Sequence, residues 1–512
     1  MNFSATLRLC GERVFMDKEY DIVIIGAGIA GLVAGNYLLD KGRRVLIVEQ
    51  GAYPGGCACS FDRKGYRFDA AVHWISQAGE GGIVRHVLTE LGIADKVTFH
   101  RLPRPASIIS PGRRVDLEFG RDNIAGRFAE AYPPERDALA GFWAEVDETK
   151  EELWRLVKSE PGKKSVLGKL IFNATFPLKF KRIAKYHKKP AAEVIRTYFR
   201  DEDLCRSLDV LGIFPGISFV HYAWFNSTGL DSDAYYPEGG IQAVPDALAQ
   251  RFTGKGGVIR YKTLAEKILV ERGAATGIVL AGGETVKAHA VISAGDARNT
   301  LLNMVGEEHL PASFVSGLKG WKPSEPFFYV YLGVDMDLAA MGFDGTPIWL
   351  FPGEVDGKKF PMLGGNALGI GMPSVLDPSL APKGRGVLIL GMLASCMFMS
   401  SCPVRKEGAD SDTYRKVKEQ AGDYMVELAE AAVPGLKDSI DVKVVASPHT
   451  FERYTMNYLG ASSGWSMAAS AQHKLPVRTP IPGLYLAGHW TMNPGGVPAA
   501  FVSGKMAAEE AG

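Results

Sequence analysis

The chain has 512 residues, of which 46% are hydrophobic and 22% are charged, and its formal net charge is +1. This length exceeds a single compact core and suits two or three domains, while the balanced charge gives no overall field that would attract nucleic acid. The six cysteines include no C-x-x-C pair, and none lies at zinc-ligand spacing to histidine, which predicts a reduced, cytoplasmic protein without a metal site.

The first fifteen residues, MNFSATLRLCGERVF, do not have the pattern of a signal peptide. Their apolar stretch is short and is interrupted by Arg8, and no small-residue cleavage site follows it. We expect a leader without function, with Met16 as an alternative start of translation.

The stretch from Tyr20 to Glu49 predicts a dinucleotide-binding βαβ unit. An apolar run ends in Gly26-x-Gly28-x-x-Gly31, a helical pattern follows, and a second apolar run leads to Glu49. Gly26 permits a tight turn, Gly28 lets the backbone approach a pyrophosphate, and Gly31 allows the helix to pack close to the strand. The N-terminus of that helix favours phosphate. Glu49, 23 residues after Gly26, is spaced to bind the ribose hydroxyls.

Further elements follow in chain order. The sequence predicts a glycine loop at 55–56, followed by helices at 82–91, 121–157 and 191–211. A glycine turn at 236–241 then leads into a helix at 244–252, and strands follow at 258–260, 265–271, 275–280, 289–293, 327–334 and 387–394. The chain ends with a helix at 412–432, a strand at 484–487 and a helix from Pro498. Hairpins are expected to join the four strands between residues 258 and 293. The last of these strands should return the chain to the edge of a parallel sheet.

Three glycine-marked blocks, near the beginning, middle and end of the chain, are separated by two long insertions. This arrangement predicts a mixed α/β (α+β) protein with two discontinuous domains. A Rossmann-like nucleotide-binding domain should comprise residues 17–115, 235–300 and 445–512. A substrate-binding domain with a β-sheet and helices should comprise residues 116–234 and 301–444.

Two segments raise the question of a membrane. Residues 386–404 carry no charge over 19 positions, which is long enough to span a bilayer, but a glycine, serines and Pro403 interrupt them, and a buried strand is the favoured interpretation. Residues 163–189 carry nine Lys/Arg and no acid, interleaved with apolar and aromatic residues. They form either a segment lying on an anionic membrane surface or a solvated helical face covering a core.

Several motifs along the chain form a specific combination that covers nearly its whole length. They are IIGAGIAGL (24–32) with Glu49, Gly55-Gly56 with GYRFD (65–69), YYPEGGI (235–241), DPSLAPKG (377–384), RYT (453–455) with Gly464-Trp465, and GLYLAGHWTMNPGGVPAAFVSGKMAA (483–508). In this combination the chain resembles the phytoene desaturase-like flavoproteins, which include carotenoid desaturases, carotenoid cis-trans isomerases and retinol saturase.

The resemblance implies FAD as cofactor and a substrate domain that forms an apolar tunnel. The aromatic residues of the insertions are candidates for this tunnel, although core packing explains most of them equally well: Phe172, Phe176, Phe199, Phe214, Phe219, Trp224 and Phe225. A flavin dinucleotide must also be held at its ring end, and the terminal block, with the helix N-terminus at Pro498, is suited to that task. The residues expected to bind FAD are Gly26, Gly28, Ala30, Gly31, Glu49, Gln50, Gly55, Gly56, Ile268, Gly488, His489, Gly496 and Val497.

Two departures from the family pattern indicate which branch of the family the chain resembles. Related flavoproteins often have an acid after the terminal-strand glycine, where this chain has His489. Phytoene desaturases usually have Gly-Pro-Thr where this chain has Val72-His73-Trp74. The histidine version looks more like the retinol saturase and carotenoid isomerase branch.

The resemblance implies an oxidoreductase acting on carbon–carbon bonds of a lipophilic polyene or isoprenoid, by saturation, desaturation or isomerisation. Addition of hydride to an alkene also needs a proton for the adjacent carbon, and His73 and His489 are the catalytic candidates because an unperturbed imidazole titrates near neutrality. Each is alternatively a packing or flavin-binding residue. Trp74 and Trp490 are expected to shape the pocket, and Tyr454 is a further donor candidate for which core packing is favoured.

Other functions remain open on the sequence. A flavin amine oxidase shares the fold, although His489-Trp490 disfavours it, and prenyl-protein chaperones share it without catalysis. The electron partner is a quinone, oxygen or a reduced carrier. Cys57 and Cys59 are too closely spaced for a redox disulfide of the usual geometry. The protein is expected in the cytoplasm, with a possible peripheral contact at the inner face of a membrane.

Overall fold

A computed structural model describes residues 20–159, 172, 175–226, 233–351, 363–364, 367–395, 398, 412–471, 473–492 and 495–512. The described strands are β1 (Tyr20–Ile25), β2 (Val45–Val48), β3 (Ser60–Arg63), β4 (Tyr66–Asp69), β5 (Ile75–Ser76), β6 (Phe99–Arg101), β7 (Ser107–Ser110), β8 (Arg113–Asp116), β9 (Ala234–Pro237), β10 (Val258–Arg260), β11 (Ala265–Glu271), β12 (Ala274–Leu280), β13 (Thr285–Ser293), β14 (Phe327–Val334), β15 (Ile348–Leu350), β16 (Leu368–Gly371), β17 (Gly386–Leu393), β18 (Ile440–Ala446) and β19 (Leu484–Leu486).

The described α-helices are α1 (Ile29–Asp40), α2 (Ile83–Glu90), α3 (Arg121–Ala131), α4 (Arg136–Lys158), α5 (Lys181–Tyr186), α6 (Ala191–Tyr198), α7 (Glu202–Asp209), α8 (Phe219–Phe225), α9 (Ala243–Gly254), α10 (Ala312–Gly320), α11 (Pro373–Leu376), α12 (Asp412–Ala429), α13 (Pro448–Thr455) and α14 (Val497–Ala511). A π-helical segment, Asn299–Gly306, lies between α9 and α10.

The first sheet has a parallel part in the order β10-β2-β1-β13-β19. Every residue of β2 is buried, as expected for a parallel strand covered on both faces. Helix α1 connects β1 to β2, and α14 packs closely on α1, because a Cβ atom at Gly504 would lie only 2.5 Å from the carbonyl oxygen of Ala30. The strands β11 and β12 extend the sheet as antiparallel hairpins from the first half of β13. The mixed α/β fold with a Rossmann-like βαβ unit is confirmed.

The position of β10 differs from the predicted run of hairpins. Helix α9 carries the chain back across the sheet, and β10 then pairs in parallel with β2, with Val258 opposite Leu46. Only the β11–β12 and β12–β13 connections in this block are hairpins. The strand is short and a hairpin was expected from its glycine-rich flanks, but the crossover helix before it sets a parallel pairing.

The second sheet runs in the order β18-β14-β17-β16-β15-β7-β8, and all of its pairs are antiparallel except β15 with β7. One face packs against α12, whose buried residues include Met425 and Leu428. The strand β7 and all but the last residue of β8 lie within the range predicted for the nucleotide-binding domain, 17–115, but both strands belong to this sheet because β7 pairs with β15 and β8 pairs with β7.

The uncharged segment 386–404 begins as a buried strand. Each residue of β17 is buried, which confirms the strand interpretation for that part, and residues 396–397 and 399–404 lie outside the described residues. None of the described helices combines the length and the apolar composition needed to cross a bilayer. The leader, residues 1–19, also lies outside the described residues.

The basic segment 163–189 is described only at residue 172 and from residue 175 onward. In that part Phe180, Ile183 and Tyr186 are buried in a helical core. The guanidinium group of Arg182 forms ion pairs with Glu148 and, at 3.7 Å, with Glu152 of α4. The described part of the segment thus covers a core, and its arginine is already paired with acids of the protein.

Candidate active site

The carboxyl ends of the parallel strands β1, β2, β13 and β19 open into one groove, the strand-end pocket. Such a position is where open α/β sheets bind their ligands. Of the residues expected to bind the cofactor, the pocket is lined by Gly26, Gly28, Ala30, Glu49, Gln50, Gly55, Gly56, Gly488, His489, Gly496 and Val497. The topology therefore brings residues from the beginning and the end of the chain together.

The three fingerprint glycines occupy different environments. Gly26 has a φ of 98°, a backbone conformation that favours glycine. A Cβ atom at Gly31 would lie 2.1 Å from the carbonyl oxygen of Gly26, so Gly31 does not line the pocket but allows α1 to pack against the turn. Gly28 has an ordinary φ of −70° and no atom within 4 Å of its Cβ position. The backbone at Gly28 thus faces open space that a phosphate can enter.

The carboxylate of Glu49 connects the glycine turn that follows β1 with the turn that follows β2. It accepts hydrogen bonds from the N–H of Ala27 at 2.8 Å and from the N–H of Gly51 at 2.6 Å. The side chain of Gln50 donates to the carbonyl of Tyr454 at 2.9 Å. These bonds fix Glu49 at the pocket, where its remaining lone pairs can accept from ribose hydroxyls.

The terminal loop is held on α14 by a small buried hydroxyl network. The N–H of Gly488 donates to Ser503 Oγ at 2.8 Å, and the hydroxyls of Thr491 and Ser503 lie 2.6 Å apart. The glycine pair after β2 meets the fingerprint turn, because Gly28 and Gly55 form an isolated parallel bridge. Both glycine loops therefore enclose the same pocket.

Ile268 lies away from this pocket. Its side chain is buried in the core between β11 and the π-helical segment. The middle block instead contributes Thr263, Leu264 and Ala265 to the pocket lining, because the chain reaches the carboxyl ends of the parallel strands just before β11 begins.

Asp296 is a buried lining residue that the sequence analysis missed. Its carboxylate accepts hydrogen bonds from the N–H of Asn299 at 2.6 Å and from the N–H of Tyr458 at 2.8 Å. Burial raises the pKa of Asp296 to about 6, although these backbone donors act in the opposite direction. The residue directly follows the small-residue run that ends β13, and its position after a parallel strand was the available signal.

Residues 454–458 cross the strand-end pocket, and we call them the crossing segment. Tyr454 is 68% exposed at the rim of the pocket, so it is not the core residue that was favoured from the sequence. The side chain of Asn457 donates to the carbonyl of Ala461 and accepts from the indole N–H of Trp490 at 3.3 Å. Gln50 and Asp296 therefore hold the two ends of the crossing segment, and Asn457 anchors its middle.

A second, larger cavity of about 1110 Å³ adjoins the first. Val72, Gly496 and Val497 line both, so the two spaces meet at the end of the strand-end pocket that the terminal loop forms. The apolar and aromatic lining of the larger cavity comprises Trp74, Trp154, Ile213, Phe214, Trp224, Phe225, Phe327, Tyr329, Ile348, Trp349, Ile370, Ile389, Met492 and Val502. We call it the apolar cavity.

His73 lies in the lining of the apolar cavity. Both of its ring nitrogens are buried and neither has a hydrogen-bond partner among the described residues. Its ring contacts that of Tyr329 with 5.0 Å between centroids. Burial lowers the pKa of His73 to about 4, so the imidazole is neutral at pH 7 and offers one donor and one acceptor.

His489 lies in the strand-end pocket rather than the apolar cavity. Burial lowers the pKa of His489 to about 4 as well. The expectation that both histidines titrate near neutrality therefore does not match their surroundings. Desolvation disfavours their charged forms.

Other predicted pocket residues divide between cavity and core. Trp74, Phe214, Trp224 and Phe225 line the apolar cavity. Trp490 is buried against Trp465 instead, with ring centroids 4.7 Å apart. The remaining aromatics proposed for the tunnel, Phe172, Phe176, Phe199 and Phe219, pack in or against the helical core.

The thiols beside the pocket are not poised for redox chemistry. Burial raises the pKa of Cys57 to about 11 and that of Cys59 to about 12. Both are free cysteines and remain protonated thiols near neutral pH.

Comparison with known proteins identifies the family to which the chain is similar. The family model described as Flavin containing amine oxidoreductase matches residues 29–511. Prolycopene isomerase 1 from an Oncidium hybrid cultivar is 28% identical, over 96% of this chain and 83% of that protein. The all-trans-retinol 13,14-reductase of Danio rerio is 22% identical, over 92% of this chain and 82% of that protein.

Solved structures show the same fold. The crystal structure of an oxidoreductase from Methanosarcina mazei aligns with a TM-score of 0.63 at 18% identity. The alignment covers 95% of this chain and 99% of the Methanosarcina mazei chain. The likeness thus extends over both sheets and the helices between them.

The residues of the strand-end pocket fit the cofactor of such proteins, FAD. Gly28 leaves its Cβ space open, and the first bond within α1 runs from the N–H of Leu32 to the carbonyl of Gly28, so the amides of the first turn are available to phosphate. Glu49 lies at one end, and Gly488 and Gly496 lie beside the apolar cavity at the other. The protein binds FAD, and this pocket is its candidate site.

Proposed function

The chain belongs to the family of flavin-containing amine oxidoreductases and is an FAD-dependent oxidoreductase, and we propose that it acts on carbon–carbon bonds of a lipophilic polyene or isoprenoid. The observation that carries this proposal is the apolar cavity of about 1110 Å³ that adjoins the strand-end pocket. Pockets for drug-sized ligands measure roughly 300–1,000 Å³. A long, apolar substrate fits a space of this size and lining.

The polar groups of the apolar cavity are distributed unevenly. Its carboxylates, Asp233 and Glu80, belong to partly or fully exposed residues, and Asp233 is paired with Arg101 at 2.6 Å. A buried ammonium group is stabilised by a paired carboxylate, but the carboxylates of this cavity are exposed or already paired, and His73 lies buried beside the junction with the strand-end pocket. This distribution supports a hydrocarbon substrate over an amine.

FAD supplies the exchange of a hydride equivalent with a substrate carbon. The aromatic lining excludes water and orients the chain for that exchange. In saturation, the carbon next to the one that receives hydride needs a proton. In the direction of desaturation, the neutral imidazole of His73 is proposed as the base that accepts this proton; in saturation it is proposed as the residue that positions the proton donor. His489 is proposed as a residue that contacts the flavin and is a second catalytic candidate.

We further propose the retinol saturase and carotenoid isomerase branch. His73 distinguishes this chain from the usual phytoene desaturase pattern, and the names of two relatives, an isomerase of prolycopene and a reductase of all-trans-retinol, support that branch. The first sheet with its helices is assigned to FAD and the second sheet with α3–α8 to the substrate. The electron partner is a quinone, oxygen or a reduced carrier.

A peripheral membrane contact at the mouth of the apolar cavity is proposed on narrower grounds. Trp154 lines the cavity and is 42% exposed, and Val157 of the same helix is 51% exposed. Arg155 and Lys158 lie in the same helical turn, which suits an anionic bilayer surface. Sedimentation with anionic lipid vesicles tests this contact, and a protein that stays in the supernatant at low salt contradicts it.

Identification of the lipid that accompanies the protein tests the proposed function. The protein is purified under mild conditions, and bound small molecules are extracted and analysed by mass spectrometry. A polyene or another isoprenoid at a stoichiometry comparable to FAD is expected. A colourless protein that does not take up FAD would instead support a chaperone of the same fold.

A further inference from the structure

Two neighbouring tyrosines on one face of β14 differ in what their hydroxyl groups contact. Tyr331 is 2% exposed, and its hydroxyl donates to the carbonyl oxygen of Ala70. Tyr329 lines the apolar cavity, and its hydroxyl has no hydrogen-bond partner among the described residues. A buried tyrosine hydroxyl usually has such a partner. The hydroxyl of Tyr329 is therefore available to a molecule that enters the cavity.

The side chain of Tyr329 is not sealed in the core. It is 8% exposed, and its oxygen is not among the fully buried side-chain atoms without a partner, whereas both ring nitrogens of His73 are. Because Tyr329 lines the apolar cavity, the accessible part of its side chain faces that space. A bound substrate can thus reach the phenol.

The ring of Tyr329 is held in one orientation. It stacks between Phe327 and Tyr331, with ring centroids 5.5 Å and 6.1 Å away, and Phe451 meets it edge-on at 5.7 Å. Gly391 on the paired strand β17 gives the ring room, because a Cβ atom there would lie 2.8 Å from Cε1 of Tyr329. A phenol packed on both faces presents its hydroxyl in a fixed direction, which favours catalysis.

Tyr329 lies close to the junction of the two cavities. Its ring contacts that of His73 with 5.0 Å between centroids, and His73 follows Val72, which lines both cavities. Burial raises the pKa of Tyr329, and the nearby thiol of Cys57, which lines the strand-end pocket, adds to this effect. The phenol therefore keeps its proton at neutral pH beside the end of the FAD pocket.

Resting on the proposed function, we propose that Tyr329 donates the proton in saturation of a carbon–carbon double bond. Reduced FAD, which a reduced carrier must supply with two electrons beforehand, provides a hydride equivalent to one carbon of that bond. The O–H bond of Tyr329 breaks, and its proton forms the new C–H bond at the adjacent carbon. The phenolate that remains takes a proton from solvent water, so Tyr329 is restored without a redox change.

His73 is suited to support this proton transfer. Its imidazole is neutral because burial lowers the pKa of His73 to about 4, and it has one N–H to donate. Both ring nitrogens are unpartnered, and the ring lies against that of Tyr329. A hydrogen bond from this N–H to the phenolate oxygen favours the charged form that appears as the proton leaves. His73 is thus the positioning residue and Tyr329 the donor.

Replacement of Tyr329 by phenylalanine tests the assignment. Tyr329→Phe removes a hydroxyl that bonds to no described group, so the variant should fold and retain FAD. The FAD-loaded protein is reduced chemically without air and mixed with all-trans-retinol or lycopene in detergent, and reoxidation of the flavin is followed. The maximal rate should fall at least about 100-fold, because general acid catalysis contributes about 10²–10⁴-fold, and the half-saturating polyene concentration should change about twofold or less.

Tyr222→Phe is the matched control. Tyr222 is fully buried in the helical core, and its hydroxyl donates to the carbonyl oxygen of Leu208 at 3.0 Å. It does not line the apolar cavity. The control loses a buried hydrogen bond and some stability, but the rate of flavin reoxidation should stay at the wild-type value.

Fluorine NMR reports contact with the polyene without turnover. The protein is labelled with 3-fluorotyrosine and loaded with oxidised FAD, which cannot saturate a double bond. The resonance that is missing from Tyr329→Phe belongs to Tyr329 and should shift when retinol or lycopene is added. The resonance that is missing from Tyr222→Phe should stay in place.

The outcomes separate this inference from the function on which it rests. A wild-type rate in Tyr329→Phe, or an unshifted resonance of Tyr329, overturns the role of this residue, and the proposed function stands if a polyene reoxidises the flavin of the wild type. Polyenes that bleach only oxidised flavin also overturn the inference, because the enzyme then desaturates. Flavin that responds to no polyene in either redox state overturns both.

Discussion

His73 and His489 show how burial decides the chemistry of a single residue. Their pKa values are lowered to about 4, so both are neutral across the physiological range. The sequence placed the two histidines beside glycine loops, but it carried no information on desolvation. Their position beside the glycine loops could be expected from the motifs, whereas their protonation state depends on how deeply the folded chain buries them.

His73→Ala should retain FAD but slow turnover. The substitution removes a polar group that lines the apolar cavity, while the strand-end pocket remains intact, and loss of a general acid or base costs about 10²–10⁴-fold in rate. The measurement is the turnover number with the polyene found in the purified protein, alongside flavin content. An unaltered rate would reduce His73 to a packing residue.

The pH dependence follows from the lowered pKa values. A histidine that titrates at about 4 loses its neutral form only as the pH falls through that value, so activity that depends on neutral His73 should be level from about pH 5 upward. The rate at saturating and at limiting substrate is measured across this range. An inflection near pH 6.5 that disappears in His73→Gln would show that the imidazole titrates freely.

Gly28→Val should abolish FAD retention without unfolding the protein. The φ of Gly28 is ordinary and its Cβ position is open, so valine strains no backbone and fills only the space for the cofactor. Flavin absorbance after desalting and circular dichroism report the two effects. Gly126→Val, at an exposed helical glycine that also has open space, is the control, and wild-type flavin content in Gly28→Val would contradict the site.

At the scale of elements, the crossing segment links three parts of the chain around the FAD pocket. Gln50 binds its beginning, Asp296 binds the N–H of Tyr458, and Trp490 binds Asn457. The sequence identified the glycine loops because turn geometry is local. It did not identify Asp296 or exclude Ile268, because those positions depend on where the chain crosses the end of the sheet.

Asp296→Ala should accelerate FAD release. The substitution leaves the N–H groups of Asn299 and Tyr458 without their acceptor, and each hydrogen bond to a charged group contributes about 1.5–3 kcal/mol. The release rate, followed by the fluorescence of free FAD, should rise at least about tenfold. Asp201→Ala removes a carboxylate that likewise accepts two backbone N–H bonds, at the start of α7 and outside the pocket, and serves as the control.

The carboxylate of Asp296 also predicts that FAD retention depends on pH. Because the pKa of Asp296 is raised to about 6, the carboxylate becomes protonated as the pH falls through that value, and its bonds to the backbone weaken. FAD release from the wild type should therefore accelerate below about pH 6, and release from Asp296→Ala should depend less on pH in that range. The same slope in both proteins would rule out Asp296 as the cause.

At the scale of the whole molecule, two sheets of different design meet where the strand-end pocket adjoins the apolar cavity. The parallel sheet follows from local patterns, since β1, α1 and β2 are marked by glycine spacing and by buried apolar runs, and it could be predicted from the sequence. The second sheet pairs β7 with β15, which lies more than 200 positions further along the chain. Such pairing leaves no local signal, so the apolar cavity became evident only in the structure.

The flavin itself reports most directly whether the protein acts on polyenes. All-trans-retinol and lycopene are added without air to the protein with oxidised FAD and, separately, with chemically reduced FAD, and the absorbance of flavin and polyene is followed. We expect one of the two redox states to respond, with bleaching of oxidised flavin or reoxidation of reduced flavin and a matching change in the polyene spectrum. If neither redox state responds to any polyene or isoprenoid, the assignment of carbon–carbon redox chemistry is wrong.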